Sequence, residues 1–220
     1  MLGVDVGINN LAVASDGGMF ENPKALRRNM KRLKMLQKAV SRKSKGSQNR
    51  RKAAHKLGRQ YYRVSCIRKD AIHKATTAIT KQASVVVIES LNVAGMMKNH
   101  HLARAIGDAG MAEFHRQISY KMEWRGGQVI KADKFFPSSK MCSRCGSINN
   151  CLTLADRTFV CPVCGFSIDR DLNAALNLEQ LAASYAVTAC CPGSSGRLQQ
   201  PVKLLVGQEP NTISLGGING

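Results

Sequence analysis

Two pairs of closely spaced cysteines constrain the fold of this chain more than any other feature of its sequence. Each pair has the form CxxCG, with Cys142 and Cys145 in the first and Cys161 and Cys164 in the second. The glycine relieves the backbone where each knuckle turns, so that four thiolates can close a tetrahedral site. We predict a zinc ribbon over residues 133–168, with short strands at LTL and TFV. Iron in the same four-sulfur geometry is the main alternative.

The cysteines also bear on the type of site and on the cellular compartment. Four thiolates around one metal leave no open coordination position, so the predicted centre is structural rather than catalytic. The N-terminus lacks a basic segment followed by an apolar signal segment, and no apolar run approaches the length of a membrane span. Eight cysteines in such a chain are better explained by metal binding or buried thiols than by disulfides. We therefore expect a cytoplasmic protein without a membrane partner.

Positive charge is concentrated in one segment. The chain has 33 Lys and Arg against 14 Asp and Glu, a formal net charge of +19. Residues 24–82 hold 20 of the basic residues and one acidic residue, Asp70, which leaves 13 of each elsewhere. Apolar residues recur at helical spacing on both sides of the break SRKSKGSQNRRK, which predicts a basic helical hairpin. Such a surface is suited to a polyanion, the alternative being a solvated basic face without a ligand. The candidate nucleic-acid contacts are Arg27, Arg28, Lys31, Arg32, Lys34, Arg42, Lys43, Arg50, Arg51, Lys52 and Arg59.

The rest of the chain alternates strand and helix patterns, which indicates an α/β fold. LGVDV, LAVAS and MF are predicted to form an antiparallel meander, and ASVVVIESL a central strand buried on both faces. A helix is predicted over residues 101–125, with Trp124 near Phe114 in the core. The strand GGQVIKAD and the helix DRDLNAALNLEQLAASYA follow it. Residues 187–220 are turn-rich and aperiodic, and we expect a largely disordered tail there.

Acidic residues stand at the ends or edges of three of these elements. Asp5 lies in the first strand, Glu89 ends the central strand, and Asp169 or Asp171 begins the last helix. A buried, unpaired carboxylate is costly and usually persists only when a metal, hydrogen bonds or a counter-charge compensates it. Three carboxylates from separate elements can hold two Mg²⁺ ions about 4 Å apart, the arrangement that activates water in phosphodiester cleavage. For Asp5 the alternative is a cap of the turn around Gly7.

Four stretches of the sequence resemble the successive motifs of the TnpB (OrfB) proteins of bacterial insertion sequences. They are GVDVGINNLAVAS, VVVIESL, PSSKMCSRCG with CPVCG, and DRDLNAALNL. TnpB proteins are relatives of type V CRISPR effector nucleases. The resemblance implies an α/β, RNase H-like (RuvC-like) mixed sheet formed by residues 1–132 and 169–186. A basic helical-hairpin insert (24–82) and the zinc ribbon (133–168) interrupt this nuclease domain.

The same resemblance implies roles for the acids and for the two inserts. Asp5, Glu89 and Asp171 match the three catalytic, metal-binding acids, Asp171 because it stands directly before xNAA; Asp169 remains a neighbour or a helix cap. The implied function is a Mg²⁺-dependent endonuclease that cleaves single-stranded or unwound DNA by two-metal hydrolysis. The ribbon would help to feed the strand to the site, and the basic hairpin would lie along an RNA–DNA heteroduplex or the DNA backbone.

The N-terminus departs from the family pattern. TnpB proteins carry an N-terminal β-barrel and helical region that holds the guide RNA, whereas here the first nuclease strand directly follows Met1. We therefore expect guide RNA recognition to depend on a separate N-terminal half or a partner protein. The alternative function is a truncated, non-catalytic DNA- or RNA-binding remnant of a transposon protein. DNA strand joining is a third interpretation, which no spacing in the chain favours. The protein is expected in the bacterial cytoplasm, associated with the nucleoid.

Overall fold

A five-stranded mixed sheet is the centre of the computed structural model, which describes residues 1–153 and 155–190, for 185–190 the backbone alone. Its strands are β1 (Leu2–Asp5), β2 (Asn10–Ala14), β3 (Met19–Glu21), β4 (Val85–Glu89) and β5 (Gln128–Ala132). They lie in the order β3-β2-β1-β4-β5. The first three pair antiparallel, and β4 joins β1 and β5 in parallel. The predicted meander is confirmed, and β4 has the central position predicted for it.

Helices lie on both faces of this sheet, and a small second sheet follows it. The helices of the described residues are α1 (Ala25–Ser41), α2 (Gln48–Gln82), α3 (Val93–Met96), α4 (Ala103–Ala109), α5 (Met111–Trp124) and α6 (Arg170–Cys190). Two further strands, β6 (Thr158–Val160) and β7 (Ser167–Asp169), pair antiparallel by themselves. None of the helices in this part of the chain is both long and apolar enough to cross a membrane.

The sheet is buried between α2 with α5 on one face and α6 on the other. Val4 and Ile88 are fully buried and join Phe114 of α5 in the main apolar cluster. Val87, the neighbour of Ile88, is also fully buried but packs with Leu178 of α6. Side chains alternate between the faces of a strand, so β4 contributes to both cores. This confirms the prediction of a strand buried on both faces.

The basic hairpin is continuous with the core. α1 packs along the first part of α2 through a small apolar cluster that contains Ala25, Leu33 and Val64. The second part of α2 then enters the main cluster through Ile72 and Ile79. One 35-residue helix therefore carries both basic surface and core, and it connects the hairpin to the sheet.

Asp108 of α4 anchors the start of α1. Its carboxylate, 4% exposed, accepts hydrogen bonds from the backbone N–H groups of Leu26 at 2.9 Å and Arg27 at 3.1 Å. Arg68 of α2 forms an ion pair with it at 3.3 Å. The N-cap residue itself, Lys24, makes no side-chain cap. A carboxylate from another helix thus satisfies the free N–H groups at this helix end.

Two predictions about the region around α5 are wrong. The single helix expected over residues 101–125 is divided into α4 and α5 at Gly110, whose φ of 69° is left-handed. Trp124 was expected in the core but is 80% exposed. The buried stripe of α5 runs through Phe114 and Met122, and Trp124 lies about 200° around the helix from Met122.

One predicted ribbon strand, LTL, is not found in the two of its residues that the structure describes. Leu152 and Thr153 lie outside any strand, and TFV (β6) pairs instead with β7. The Asp156 carboxylate accepts hydrogen bonds from the backbone N–H of Thr153 at 2.7 Å and from its hydroxyl at 2.9 Å, which holds this stretch in a turn. At the C-terminus α6 continues to Cys190. The predicted tail (187–220) therefore begins within this helix, and residues 191–220 lie outside the described residues.

Candidate metal centres

The four predicted zinc ligands form one cluster. The Sγ atoms of Cys142, Cys145, Cys161 and Cys164 all lie within 4.8 Å of one another. Cys142 and Cys164 are 3.7 Å apart at sulfur, and Cys145 and Cys161 are 3.5 Å apart. A tetrahedral zinc with Zn–S bonds of about 2.3 Å places its sulfur ligands about 3.8 Å from one another. The cluster therefore fits Zn²⁺, and its donor set leaves no position for a substrate.

The two knuckles share one backbone geometry. Gly146 and Gly165 have φ angles of 75° and 68°, a conformation that residues with a side chain rarely adopt. Each glycine N–H donates to the carbonyl of the first cysteine of its pair, at 2.9 Å to Cys142 and 3.1 Å to Cys161. These closed turns bring both thiols of each pair to one side of the backbone.

Hydrogen bonds favour the ionised form of one ligand. The backbone N–H of Cys164 donates to Sγ of Cys161 at 3.4 Å, and the Ser147 hydroxyl lies 3.0 Å from the same atom. These two contacts lower the pKa of Cys161 to about 5. The thiolate is the form that binds zinc. Cys151 is exposed and lies outside the cluster.

Asp5 and Glu89 occupy equivalent positions at the ends of two neighbouring parallel strands. Val4 of β1 pairs with Ile88 of β4, and each acid is the next residue of its strand. Because side chains alternate along a strand, both carboxylates are directed to the face that α6 covers. Both residues are half-buried. The fold thus places these two predicted site residues side by side.

The start of α6 brings a third carboxylate to the same edge of the sheet. Asp171 lies in the first turn of α6 and pairs with Arg170 at 3.5 Å. Asp169 caps this helix, since its Oδ1 accepts from the backbone N–H groups of Asp171 at 3.0 Å and Leu172 at 3.1 Å. Of the two candidate acids, Asp169 is therefore engaged with the backbone, as expected of a helix cap.

The pKa of Asp5 is affected by the other two carboxylates. Burial raises its pKa well above the ordinary value, and the charges of Glu89 and Asp171 raise it further, with Arg170 acting in the opposite direction. A cation among the three carboxylates would offset both burial and repulsion. Carboxylate oxygens are the ligands of a hard divalent ion such as Mg²⁺, so the donor set fits one. Within the described residues the four cysteines, and not these acids, have all their ligand atoms within 4.8 Å of one another.

Three residues that sequence reasoning missed join the acids to the ribbon. Ser138, 4% exposed, donates its hydroxyl to Oε1 of Glu89. Nδ2 of Asn177 in α6 donates to the carbonyls of Ser138 at 2.7 Å and Met141 at 2.6 Å, and Asn173 donates to Met141 at 2.7 Å. The segment that enters the first knuckle is thereby bound to both β4 and α6. The available signal was the NAALN spacing, which places two amides one turn apart on an otherwise apolar helix.

Gly3 allows α6 to lie directly against β1, another feature that sequence reasoning missed. A Cβ at this position would be 2.0 Å from the carbonyl oxygen of Ala175 and 2.6 Å from the backbone nitrogen of Glu179. Only glycine permits so close an approach of strand and helix. The contact holds the first turn of α6, with Asp171, beside the end of β1.

The predicted nucleic-acid contacts lie at the surface of the hairpin. All of them are exposed except Arg50, which is half-buried. The Arg50 guanidinium donates to the carbonyls of Val40 at 3.4 Å and Lys43 at 3.1 Å, so it helps to close the turn between α1 and α2. The other members of the set present their charges to solvent.

Comparisons with known proteins identify relatives of this chain. Residues 1–100 match the family OrfB_IS605, described as "Probable transposase", and residues 112–178 match the family "Cas12f1-like, TNB domain". A "Putative RNA-guided DNA endonuclease" of Streptomyces pristinaespiralis is 43% identical over 192 residues, which are 87% of this chain and 47% of that protein. The "Putative RNA-guided DNA endonuclease InsQ" of Escherichia coli K12 is 37% identical over 228 residues, 97% of this chain and 54% of that protein. The chain spans about half the length of these curated relatives.

A solved structure shares the fold. The chain resembles a chain of the cryo-EM structure of a Cas12f1–sgRNA–target DNA complex with a TM-score of 0.57 and 20% sequence identity. The match covers 81% of this chain and 49% of that chain. It agrees with the arrangement of a mixed sheet between helices.

Proposed function

This chain belongs to the TnpB family, and from that premise we propose that it is the nuclease core of an RNA-guided DNA endonuclease. The proposed reaction is hydrolysis of a DNA phosphodiester bond, with Mg²⁺ as catalytic and Zn²⁺ as structural cofactor. The observation that carries the proposal is the meeting of Asp5, Glu89 and Asp171 at one edge of the sheet. The direction of the Asp5 pKa supports the proposal: burial raises it, and the charges of Glu89 and Asp171 raise it further.

We assign the binding of two Mg²⁺ ions to these three acids. When bound, such ions supply Lewis acidity and offset the negative charge of the reacting phosphate. The surrounding residues hold the acids in place. The Ser138 hydroxyl orients the carboxylate of Glu89, and the cap formed by Asp169 fixes the helical turn that bears Asp171. Because these carboxylates are already held in place, they need to move less when the substrate binds.

Hydrogen bonds join the two proposed domains, which supports a common role in catalysis. We assign residues 1–132 and 169–186 to the nuclease domain and 133–168 to a zinc ribbon that contacts the target strand. The bonds from Asn173 and Asn177 to the segment 138–141 connect the ribbon to the helix that carries Asp171. Zinc is therefore proposed to stabilise the nuclease site as well as the ribbon.

The proposed substrate is single-stranded or unwound DNA, bound partly through the basic hairpin. Relatives of this chain are named RNA-guided endonucleases, and we propose that a guide RNA, or its heteroduplex with DNA, is a partner here too. The proposed place of action is the bacterial cytoplasm, at the nucleoid.

The test is Mg²⁺-dependent cleavage of a labelled single-stranded DNA by the full 220-residue chain. The variants Asp5→Asn, Glu89→Gln and Asp171→Asn should reduce cleavage to background while DNA binding persists, because each removes a metal ligand and leaves the basic surface intact. Asp16→Asn is the matched control, since Asp16 is an exposed turn residue that accepts from Gly18 N–H at 2.8 Å. Wild-type cleavage by the first three variants would overturn the assignment. Tight binding without any metal-dependent cleavage by the wild type would favour the non-catalytic remnant.

A further inference from the structure

A basic cleft opens at the edge of the sheet, outside the acid site. Its volume is about 440 Å³, within the usual range of pockets that bind ligands. The turn between β1 and β2, the start of α1 and the start of α4 form its walls. The polar side chains that line it include Asn9, Lys24, Arg27, His100, His101 and Arg104.

The cleft has an excess of positive charge. Lys24, Arg27 and Arg104 line it, and none of the ion pairs found in the described residues involves any of these three. Asp108 is the one acid of the lining. Its carboxylate already accepts from two backbone N–H groups of α1 and pairs with Arg68. It therefore does little to offset the three cations.

The backbone at Lys24 is held in a strained conformation. Its φ and ψ are both 45°, and within the described residues it is the only non-glycine residue with positive φ. The left-handed region costs a residue with a side chain about 1–2 kcal/mol. Asn22, 5% exposed, enforces it, because Oδ1 accepts from the Lys24 N–H at 3.0 Å and Nδ2 donates to the Ile8 carbonyl at 2.7 Å. A glycine would fit here without strain, so the lysine side chain needs another explanation, which a ligand in the cleft provides.

The cleft and the acids lie at the same edge of the sheet. Asp5 and Glu89 end the parallel strands β1 and β4. The turn that carries Asn9 follows β1 at this edge, and the segment that leads to His100 and Arg104 follows β4 there. The acids are directed to the α6 side of the edge, and the cleft lies on the side of α1 and α4. A polymer that crosses the edge could contact both.

We propose that this cleft binds the phosphodiester backbone of the nucleic-acid strand that crosses the edge of the sheet to the acid site. Lys24, Arg27 and Arg104 neutralise phosphates, and an imidazole N–H of each of the two histidines donates a hydrogen bond to the phosphate oxygens of the same backbone. This inference rests on the proposed function for the identity of the ligand. It adds Lys24, His100, His101 and Arg104 to the residues predicted to contact nucleic acid.

The experiment measures binding in the absence of divalent metal, so that cleavage does not enter. A fluorescent thymidine oligonucleotide is titrated with the full chain at several salt concentrations, and Lys24→Gly and Arg104→Ala are compared with wild type. Each lost phosphate contact should reduce the slope of log K against log salt by about 0.7 for single-stranded nucleic acid. Arg125→Ala is the matched control, because Arg125 is exposed at the far end of α5 and outside the cleft; its slope should equal that of wild type.

Lys24→Gly separates a binding role from a structural one. Relief of the left-handed strain should leave the urea midpoint unchanged or raise it, while affinity and salt slope fall. Slopes equal to wild type for both Lys24→Gly and Arg104→Ala would overturn the proposal, whatever the cleavage assay shows. A uridine oligoribonucleotide forms the second arm. If the variants have a smaller slope than wild type with the DNA oligonucleotide alone, the ligand is the DNA strand. If the slope is smaller with the RNA oligonucleotide alone, the ligand is the RNA strand. A smaller slope with both shows that the cleft binds either backbone.

Discussion

Gly3→Ala should destabilise this protein through one steric contact. The added Cβ would lie 2.0 Å from the carbonyl oxygen of Ala175 and 3.1 Å from its carbonyl carbon, and 2.6 Å from the backbone nitrogen of Glu179, whereas ordinary contacts begin at 3.4 Å. All three atoms belong to the backbone of α6, so no side chain can rotate away. Relief therefore requires the helix to move off the sheet by more than 1 Å.

The expected loss in the free energy of unfolding can be estimated from the packing that such a movement loosens. Overpacking in a core forces side-chain and backbone shifts that typically cost about 1–3 kcal/mol. Val87 of the sheet packs with Leu178 and Ala182 of α6, and this packing would loosen when the helix moves. We expect Gly3→Ala to lower the free energy of unfolding by about 3 kcal/mol, the upper end of this range, because every clashing atom is backbone. Cleavage should fall by about 100-fold, because a 1 Å displacement of Asp171 misplaces one of the three acids.

The assay is urea unfolding followed by circular dichroism with zinc at saturation, alongside the cleavage assay. Gly58→Ala is the matched control. Gly58 lies inside α2, and its added Cβ would meet nothing within 4 Å. Alanine there should raise the free energy of unfolding by about 0.5–1 kcal/mol, because it favours the helix. The two Gly→Ala changes should therefore have opposite signs. A Gly3→Ala protein within about 1 kcal/mol of wild type, with normal cleavage, would refute the reasoning.

Three further predictions concern the ribbon, the pH dependence of stability and the hairpin. Cys161→Ser should abolish the single bound zinc measured by metal analysis and weaken cleavage. Cys151→Ser, at an exposed thiol outside the cluster, should retain zinc. One zinc ion per chain in Cys161→Ser would contradict the assignment. Burial lowers the pKa of His115 to about 4. As the pH drops from about 6.5 to 4, the unfolded chain therefore binds a proton at His115 before the folded chain does, and the free energy of unfolding should fall. The urea midpoint of His115→Gln should fall less over this range, and parallel curves for the variant and wild type would contradict the prediction. Asp108→Ala should lower the free energy of unfolding by about 1–3 kcal/mol, since it leaves N–H groups of α1 and the Arg68 guanidinium without their partner. Asp70→Ala, which removes only an exposed pair with Lys74, should change it by less than about 1 kcal/mol, and equal losses would show that burial at Asp108 has no role.

Features that depend on local spacing could be predicted from the sequence. The CxxCG pairs formed the expected four-sulfur cluster, because each knuckle is a turn of a few residues. The apolar patterns predict the strands of the meander and β4, and a helix cap is one of the two roles left open for Asp169. The errors arose where local patterns were ambiguous. Trp124 has an apolar side chain but lies off the buried stripe of α5. The Asp156 side chain binds Thr153 in a turn, where the apolar pattern predicts a strand.

The sequence by itself determined which residue types this protein has for chemistry: four thiolates, three separated acids and a dense set of cations. Their spacing along the chain also determined the knuckles and the order of strands and helices, since both arise from contacts between near neighbours. Only the tertiary structure decided that Asp5 lies beside Glu89, that α6 approaches β1 closely enough to require Gly3, and that Lys24 lines a cleft. These relations join residues far apart in the chain. Their distances depend on strand register and helix packing, and no local pattern in the sequence records either of them.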